Sequence, residues 1–108
     1  TSFPVGMGMA ATWDTNIMYE VGAAMGREFW AYSHDVQLGP CVDICRDPRN
    51  GRSPESGGED PYLAGMTGTS IIRGIQSNPV IATLKHYNLV KTINGHLVYK
   101  LKYDINNN

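Results

Sequence analysis

Apolar side chains recur every three or four residues along two stretches of the chain, and this spacing predicts two amphipathic helices. The first helix is predicted over residues 14–32, with Asp14 as its N-cap. Its inward positions are Ile17, Val21, Ala24, Met25, Glu28 and Phe29, all apolar except the glutamate. The second helix is predicted to begin at Asp60-Pro61, because an acid followed by proline favours a helix start, and to end near residues 77–79. Its inward positions are Leu63, Thr67, Ile71 and Ile75.

Continuous apolar runs beside these helices predict buried parallel strands rather than strands with one face in solvent. One strand is predicted over residues 36–44 and another over residues 80–84. The apolar, glycine-rich residues 1–13 predict the end of a loop followed by a short buried strand. The order strand, helix, strand, loop, helix, strand is typical of βα units that feed a parallel sheet, so the predicted fold class is α/β.

The pattern changes near the end of the chain, where apolar and polar residues alternate and predict a β-hairpin. Its two strands are predicted over residues 89–93 and 96–105, and the Asn94-Gly95 pair between them is a strong signal for a two-residue turn. The apolar face of the second strand would consist of Leu97, Tyr99, Leu101, Tyr103 and Ile105. The polar residues 106–108 predict a frayed, disordered end.

The candidate site lies in the charged loop that connects the second predicted strand to the second helix. The stretch 38–62, which holds the end of that strand and the loop, carries arginines and acids, among them Asp43 and Glu55, interspersed with proline and glycine. Two interpretations stay open: a surface loop whose ion pairs contribute little to stability, or a polar site whose arginines bind an oxygen-rich ligand. Lys85 and His86 follow the next predicted strand, although Lys85 also fits an ordinary exposed cation. Because ligands bind at the carboxyl ends of parallel strands, we expect these two polar ends to converge.

Composition narrows the class of protein and its partners. The chain has 108 residues, 42% of them hydrophobic, and a net charge of −1, which indicates a globular chain with no electrostatic reason to bind nucleic acid or an anionic membrane surface. No apolar run is long enough to span a bilayer. The sequence starts at Thr1, so we expect it to begin inside a longer chain whose compartment stays open: secreted, periplasmic and lysosomal are the candidates. The oligomeric state is open as well.

Two short motifs are expected to be incidental. Cys41 and Cys45 stand four residues apart without a second cluster, which is a poor zinc signature, so we expect buried free thiols and no metal. Gly6, Gly8 and Ala11 match a dinucleotide-binding pattern, but only five residues precede the first glycine and the helix is predicted later. We therefore expect no cofactor.

The longest motif in the chain resembles a known family. The run GPCVDICRDPRNGRSPESGGEDPYLAG, followed by VIATLKHY, is similar to the amino-terminal barrel domain of glycoside hydrolase family 3, the β-glucosidase type. The resemblance covers residues 3–87 and implies that residues 1–87 are a fragment of a (β/α)₈ barrel, with about three parallel strands and two helices. Asn50 stands where the family often has an aromatic residue, and this difference would change the shape of the pocket wall.

The resemblance also implies a chemistry. Family 3 β-glucosidases are retaining enzymes, which use one carboxylate as nucleophile and another as acid/base. Both would come from regions beyond this chain, so no catalytic residue is expected here and the chain alone should be inactive. What carries over is part of the glucose-binding subsite, formed by Arg52, Lys85 and His86. The implied substrate is a β-glucoside or oligosaccharide.

The remaining charges of the loop are expected to have structural roles. The residues expected to brace the loop by ion pairing are Arg46, Asp47 and Arg49. Glu59 and Asp60 are expected to cap the helix that follows.

The tail departs from the family pattern. Relatives continue with N-x-Q-E and an arginine, whereas this chain reads NLVKTINGH, with His96 about where the arginine would stand. We expect residues 88–108 to be a divergent tail, and a non-homologous end from truncation, frameshift or a spurious gene model is favoured over genuine divergence. The alternative function is a non-catalytic carbohydrate-binding or structural module that the hairpin closes.

Overall fold

Helices dominate the part of the chain that can be described. The computed structural model describes residues 1–86 and the backbone of two later strands. The helices are α1 (Gly6–Ala10), α2 (Thr15–Ala31) and α3 (Pro61–Ile75), with a 3₁₀ helix at Ser53–Glu55. The strands are β1 (Val36–Gln37), β2 (Ile81–Ala82), β3 (Val90–Ile93) and β4 (His96–Tyr99). No helix among the described residues combines the length and apolarity needed to cross a membrane.

Both predicted helix starts are confirmed, and each depends on an aspartate cap. The Asp14 side chain accepts hydrogen bonds from the backbone N–H groups of Asn16 and Ile17 at the start of α2, at 2.8 and 3.3 Å. The Asp60 side chain does the same at the start of α3. These bonds satisfy N–H groups that have no partner within the helix. Among the described residues, the Glu59 side chain makes no hydrogen bond to this helix, so the capping role predicted for Glu59 is wrong and Asp60 alone is the cap. The predicted end of α3 near residues 77–79 is wrong by two to four residues, because α3 ends at Ile75 and the chain turns there.

Helices α2 and α3 pack so closely that their backbones touch, and glycine makes this possible. A Cβ atom added to Gly22 would lie 2.4 Å from the carbonyl oxygen of Ile71. A Cβ atom added to Gly74 would lie 2.2 Å from the carbonyl oxygen of Tyr19. The core forms around this contact, and its buried members are Met9, Met18, Ile71, Ile75 and Val80.

The predicted strand over residues 36–44 is much shorter in the structure. Strand β1 pairs with β2 in parallel, with Val36 opposite Ile81, and only two residues of each strand form the ladder. Gly39-Pro40 interrupts it, because proline has no N–H group to donate. The pairing resumes as an isolated parallel bridge between Cys41 and Lys85. The strand predicted over residues 80–84 is also shorter in the structure, because its pairing partner is interrupted at Gly39-Pro40.

The predicted strand within residues 1–13 is wrong, because this stretch forms helix α1. Its backbone makes helical hydrogen bonds, for example from Met9 N–H to the carbonyl oxygen of Val5 at 3.0 Å, and Met9 is buried in the core. A short apolar run does not distinguish a buried strand from a buried helix, since both place apolar residues inward. The parallel sheet of the described residues therefore has two strands, β1 and β2, rather than three.

Helix α1 also packs against the 3₁₀ helix in the charged loop. A Cβ atom added to Gly6 would lie 2.2 Å from the carbonyl oxygen of Glu55, so only glycine allows this approach. The glycines of the dinucleotide-like pattern thus belong to a five-residue helix, and the first of them faces a loop carbonyl.

The two strands of the predicted hairpin are confirmed. Strands β3 and β4 pair antiparallel, with Ile93 opposite His96, which is the register that a two-residue connection produces. Asn94-Gly95 themselves, and the predicted continuation to residue 105, lie outside the described residues.

Candidate functional site

The start of the charged loop is braced by one buried acid. Asp47 is 10% exposed and accepts both guanidinium hydrogen bonds of Arg49, at 2.9 and 3.0 Å. The Arg49 backbone N–H also donates to this carboxylate, at 3.1 Å. Since the Arg49 side chain is 76% exposed, the pair fixes the loop at the surface of the protein. This confirms the bracing role predicted for these two residues.

Arg52 points its guanidinium fork at Glu55. The Nε and Nη2 groups donate to the two carboxylate oxygens at 2.6 and 2.7 Å, a two-pronged geometry typical of strong arginine–carboxylate pairs. The Lys85 ammonium lies 3.8 Å from Oε2 of the same carboxylate. Hydrogen bonds from Arg52 are the main cause that lowers the pKa of Glu55, and the charge of Lys85 adds to the effect. Glu55 thus holds cations from two separate segments.

His86 is held by a second carboxylate, that of Asp43. Oδ2 of Asp43 accepts from the His86 backbone N–H at 3.1 Å and lies 2.9 Å from the ring Nδ1. Asp43 is buried, so these contacts are protected from water. Because a carboxylate accepts, Nδ1 carries the proton of the neutral ring and Nε2 is left as an acceptor.

The Cys41 thiol completes this group. Its Sγ donates to Oδ2 of Asp43 at 3.0 Å and lies 3.8 Å from Nδ1 of His86. Burial, followed by the hydrogen bond to Asp43, raises the pKa of Cys41 to about 11. The thiol is therefore protonated at neutral pH. The donor atoms of Cys41, Asp43 and His86 all lie within 4.8 Å of one another.

The structure brings the three predicted site residues to one place. Arg52 and His86 line one small recess, whose other lining residues are Cys41, Asp43 and Asn50. Lys85 lines the adjoining cavity together with Glu55, and Cys41 forms part of both walls. The parallel bridge between Cys41 and Lys85 explains this arrangement, because it aligns the ends of the two segments.

From the sequence, Asp43 and Glu55 stand out only as two of the acids in and beside the loop. In the structure these two side chains orient the three predicted residues. For Glu55 the spacing to Arg52, three residues along the loop, was a usable signal. Asp43 had no such signal, since its partner His86 is 43 residues away.

Known proteins match this chain over most of its length. Residues 1–101 match the family described as glycosyl hydrolase family 3 N terminal domain. The β-glucosidase A of Aspergillus kawachii (strain NBRC 4308) is 47% identical over 88 residues, which are 81% of this chain and 10% of that protein. The β-glucosidase A of Butyrivibrio fibrisolvens is 46% identical over 89 residues, or 82% of this chain and 11% of that protein.

Solved structures agree with this result. The structure of β-glucosidase 3B from Thermotoga neapolitana in complex with glucose superimposes on this chain with a TM-score of 0.80 and 43% sequence identity. The match covers 83% of this chain and 12% of the Thermotoga neapolitana chain. A family 3 β-N-acetylglucosaminidase from Paenibacillus sp. str. FPU-7 matches with a TM-score of 0.78 and 31% sequence identity. This match covers 82% of this chain and 17% of the Paenibacillus chain. This chain spans about a tenth of the length of the curated relatives that it matches.

Proposed function

The chain belongs to glycoside hydrolase family 3, and we propose that it supplies part of the glucose-binding subsite of a retaining β-glucosidase. The reaction would be hydrolysis of the O-glycosidic bond at a terminal β-D-glucosyl residue. The observation that carries the proposal is the convergence of Arg52, Lys85 and His86 around two adjoining recesses.

The chemistry of this cluster suits a sugar. Sugar hydroxyls both donate and accept hydrogen bonds, and fixed cationic donors orient them through charge-assisted bonds. Arg52 and Lys85 supply such donors, and Nε2 of His86 is the ring nitrogen that the contact with Asp43 leaves available for a sugar hydroxyl. Since Glu55 and Asp43 are engaged with these groups, we assign both acids to positioning. The nucleophile and the acid/base are proposed to come from other parts of the enzyme.

The sheet supports a place for residues 1–87 in a (β/α)₈ barrel. Helices α2 and α3 cover one face of β1 and β2, whereas large apolar side chains are exposed around the two strands. Val36 and Ile81, which are directly opposite each other, are 45% and 61% exposed, and Leu38 is 71% exposed. Branched apolar residues fill the interior of such barrels, so the remaining strands would cover this face. Residues 88–108 are kept as a proposed divergent tail.

Among family 3 activities, the identities favour a glucosidase. The chain is 46–47% identical to the two β-glucosidases above and 31% identical to the β-N-acetylglucosaminidase. The complex of the Thermotoga neapolitana enzyme contains glucose. We therefore propose β-glucosides as substrates of the whole protein. No comparison favours the non-catalytic module.

The test is the glucose inhibition constant of the full-length enzyme and its variants. Arg52→Ala and Lys85→Ala each remove a charged hydrogen-bond donor worth about 1.5–3 kcal/mol, so the constant should rise about 10- to 150-fold. Arg73→Ala is the matched control, because this exposed arginine in the last turn of α3 lines neither recess, and it should leave the constant unchanged. Unchanged constants in the Arg52 and Lys85 variants, with far-UV circular dichroism intact, would contradict the assignment.

A further inference from the structure

We propose that Cys41, Asp43 and His86 form a binding site for a divalent cation of the zinc class. The three residues supply one sulfur, one oxygen and one nitrogen donor, each within 4.8 Å of the others. Sulfur and imidazole ligands select zinc and its chemical relatives over magnesium and calcium, which prefer oxygen alone. The site goes beyond the proposed sugar-binding role, because it uses the thiol of Cys41 and the Nδ1 atom of His86.

The spacing of the donors is close to what a tetrahedral ion requires. Zinc bonds of ordinary length place a sulfur and a nitrogen ligand about 3.6 Å apart, and a nitrogen and an oxygen ligand about 3.4 Å apart. Here Sγ of Cys41 lies 3.8 Å from Nδ1 of His86, and Nδ1 lies 2.9 Å from Oδ2 of Asp43. The sulfur–nitrogen distance therefore fits, and the carboxylate must move outward by about half an ångström.

The inward position of the carboxylate has a simple cause. Oδ2 of Asp43 currently accepts hydrogen bonds from Cys41 and from His86. On binding, the cation would replace the thiol proton, which leaves to solvent, and the ring would bind through Nδ1 with its proton on Nε2. The carboxylate would then contact the cation instead of the thiol and the ring Nδ1–H, and it would keep the hydrogen bond from the His86 backbone N–H. No oxidation or reduction occurs.

The second cysteine is not part of the site. Sγ of Cys45 contacts the Ser53 carbonyl at 3.3 Å and the Ser56 hydroxyl at 3.0 Å. The proposed partners of Cys41 are Asp43 and His86, so the four-residue spacing of the two cysteines plays no part in the proposed site. Three protein ligands leave a fourth position, which the recess beside Asn50 and Arg52 could fill with water.

Nearby charged side chains determine how tightly the proposed site should bind a cation. Arg52 and Lys85 lie near the site and repel a cation, but both are paired with the Glu55 carboxylate. Asp43 and the Cys41 thiolate would supply two negative charges directly to the ion. We therefore expect one ion per chain, bound more weakly than in a four-ligand structural zinc site.

The experiment is a titration of the full-length enzyme with Co²⁺, followed by displacement with Zn²⁺. A thiolate bound to Co²⁺ gives an ultraviolet charge-transfer band, which reports directly on a sulfur ligand. We expect one equivalent of Co²⁺ to produce the band and Zn²⁺ to remove it. Cys41→Ser should abolish the band, and His86→Ala should weaken binding at least ~10-fold, because each removes a direct ligand. Cys45→Ser and His34→Ala are the matched controls and should behave like the unaltered enzyme.

Several outcomes would overturn the site. These are absence of a sulfur–cobalt band in the unaltered enzyme, loss of the band in Cys45→Ser, or its persistence in Cys41→Ser. Far-UV circular dichroism checks the fold of each variant, and if Cys41→Ser does not fold, the His86→Ala titration decides. The titration contains no sugar, so its failure would leave the glucosidase proposal untouched.

Discussion

Replacing Gly74 with alanine should force helices α2 and α3 apart and lower the free energy of unfolding. The added Cβ atom would lie 2.2 Å from the carbonyl oxygen of Tyr19 and 2.7 Å from the backbone nitrogen of Ala23. Both atoms belong to the backbone of α2, so no side-chain rotation can relieve the overlap. Relief requires a shift of one helix against the other, which disturbs the core around Met18 and Ile71.

Two opposing terms set the magnitude. Alanine is a better helix former than glycine by about 1 kcal/mol, which favours the variant. Overpacking costs about 1–3 kcal/mol, and overlap with backbone belongs at the upper end of that range. The net loss of unfolding free energy should therefore be about 1–2 kcal/mol, which corresponds to a fall in Tm of roughly 4–16 °C for a domain of this size.

The matched control lies in the same helix. Gly65 is exposed, and a Cβ atom added there would meet nothing within 4 Å. Gly65→Ala should therefore raise the unfolding free energy by about 0.5–1 kcal/mol, through helix propensity alone. Urea unfolding of the chain, followed by far-UV circular dichroism, measures both changes. A Gly74→Ala variant at least as stable as the unaltered chain would refute the reasoning about backbone contact.

Two further predictions concern a cap and a thiol. Asp60→Ala removes the side chain that caps α3, so it should lower the free energy of unfolding, measured by urea unfolding, by about 1 kcal/mol. The exposed neighbour Glu59 is the control, and Glu59→Ala should change this free energy little. In a Cys45→Ser background, Cys41 should react slowly with iodoacetamide at pH 8, because its pKa of about 11 leaves little thiolate. A rate equal to that of the urea-unfolded chain would contradict the raised pKa.

The elements that could be predicted from sequence are those with local signals. Asp14 and Asp60 each contact N–H groups two and three residues ahead, so the cap and its helix are visible within a short window. Strand length depended on pairing between distant segments, and the Gly39-Pro40 interruption broke a run that reads as continuous by hydrophobicity alone.

In the candidate site too, some features could be predicted from the sequence and others depended on contacts between distant segments. The resemblance to glycoside hydrolase family 3 was enough to select Arg52, Lys85 and His86, and in the structure these residues line adjoining recesses. The three-residue spacing of Arg52 and Glu55 was a usable signal for that pair, whereas the partner of His86 could not be assigned because Asp43 lies 43 residues away along the sequence. In the structure, the Glu55 carboxylate pairs with Arg52, and the Asp43 carboxylate pairs with His86.

The contact between Gly6 and the Glu55 carbonyl has a consequence for mutational scans of the whole enzyme. Helix α1 lines the cavity beside the cluster, and its first residue sets how closely it approaches the segment that holds Arg52 and Lys85. Any larger residue at Gly6 would displace Glu55 and, with it, both cations. In a screen scored by the proposed sugar affinity, Gly6 should therefore rank beside the proposed site residues Arg52, Lys85 and His86. Its score would report the placement of a carboxylate 49 residues further along the sequence.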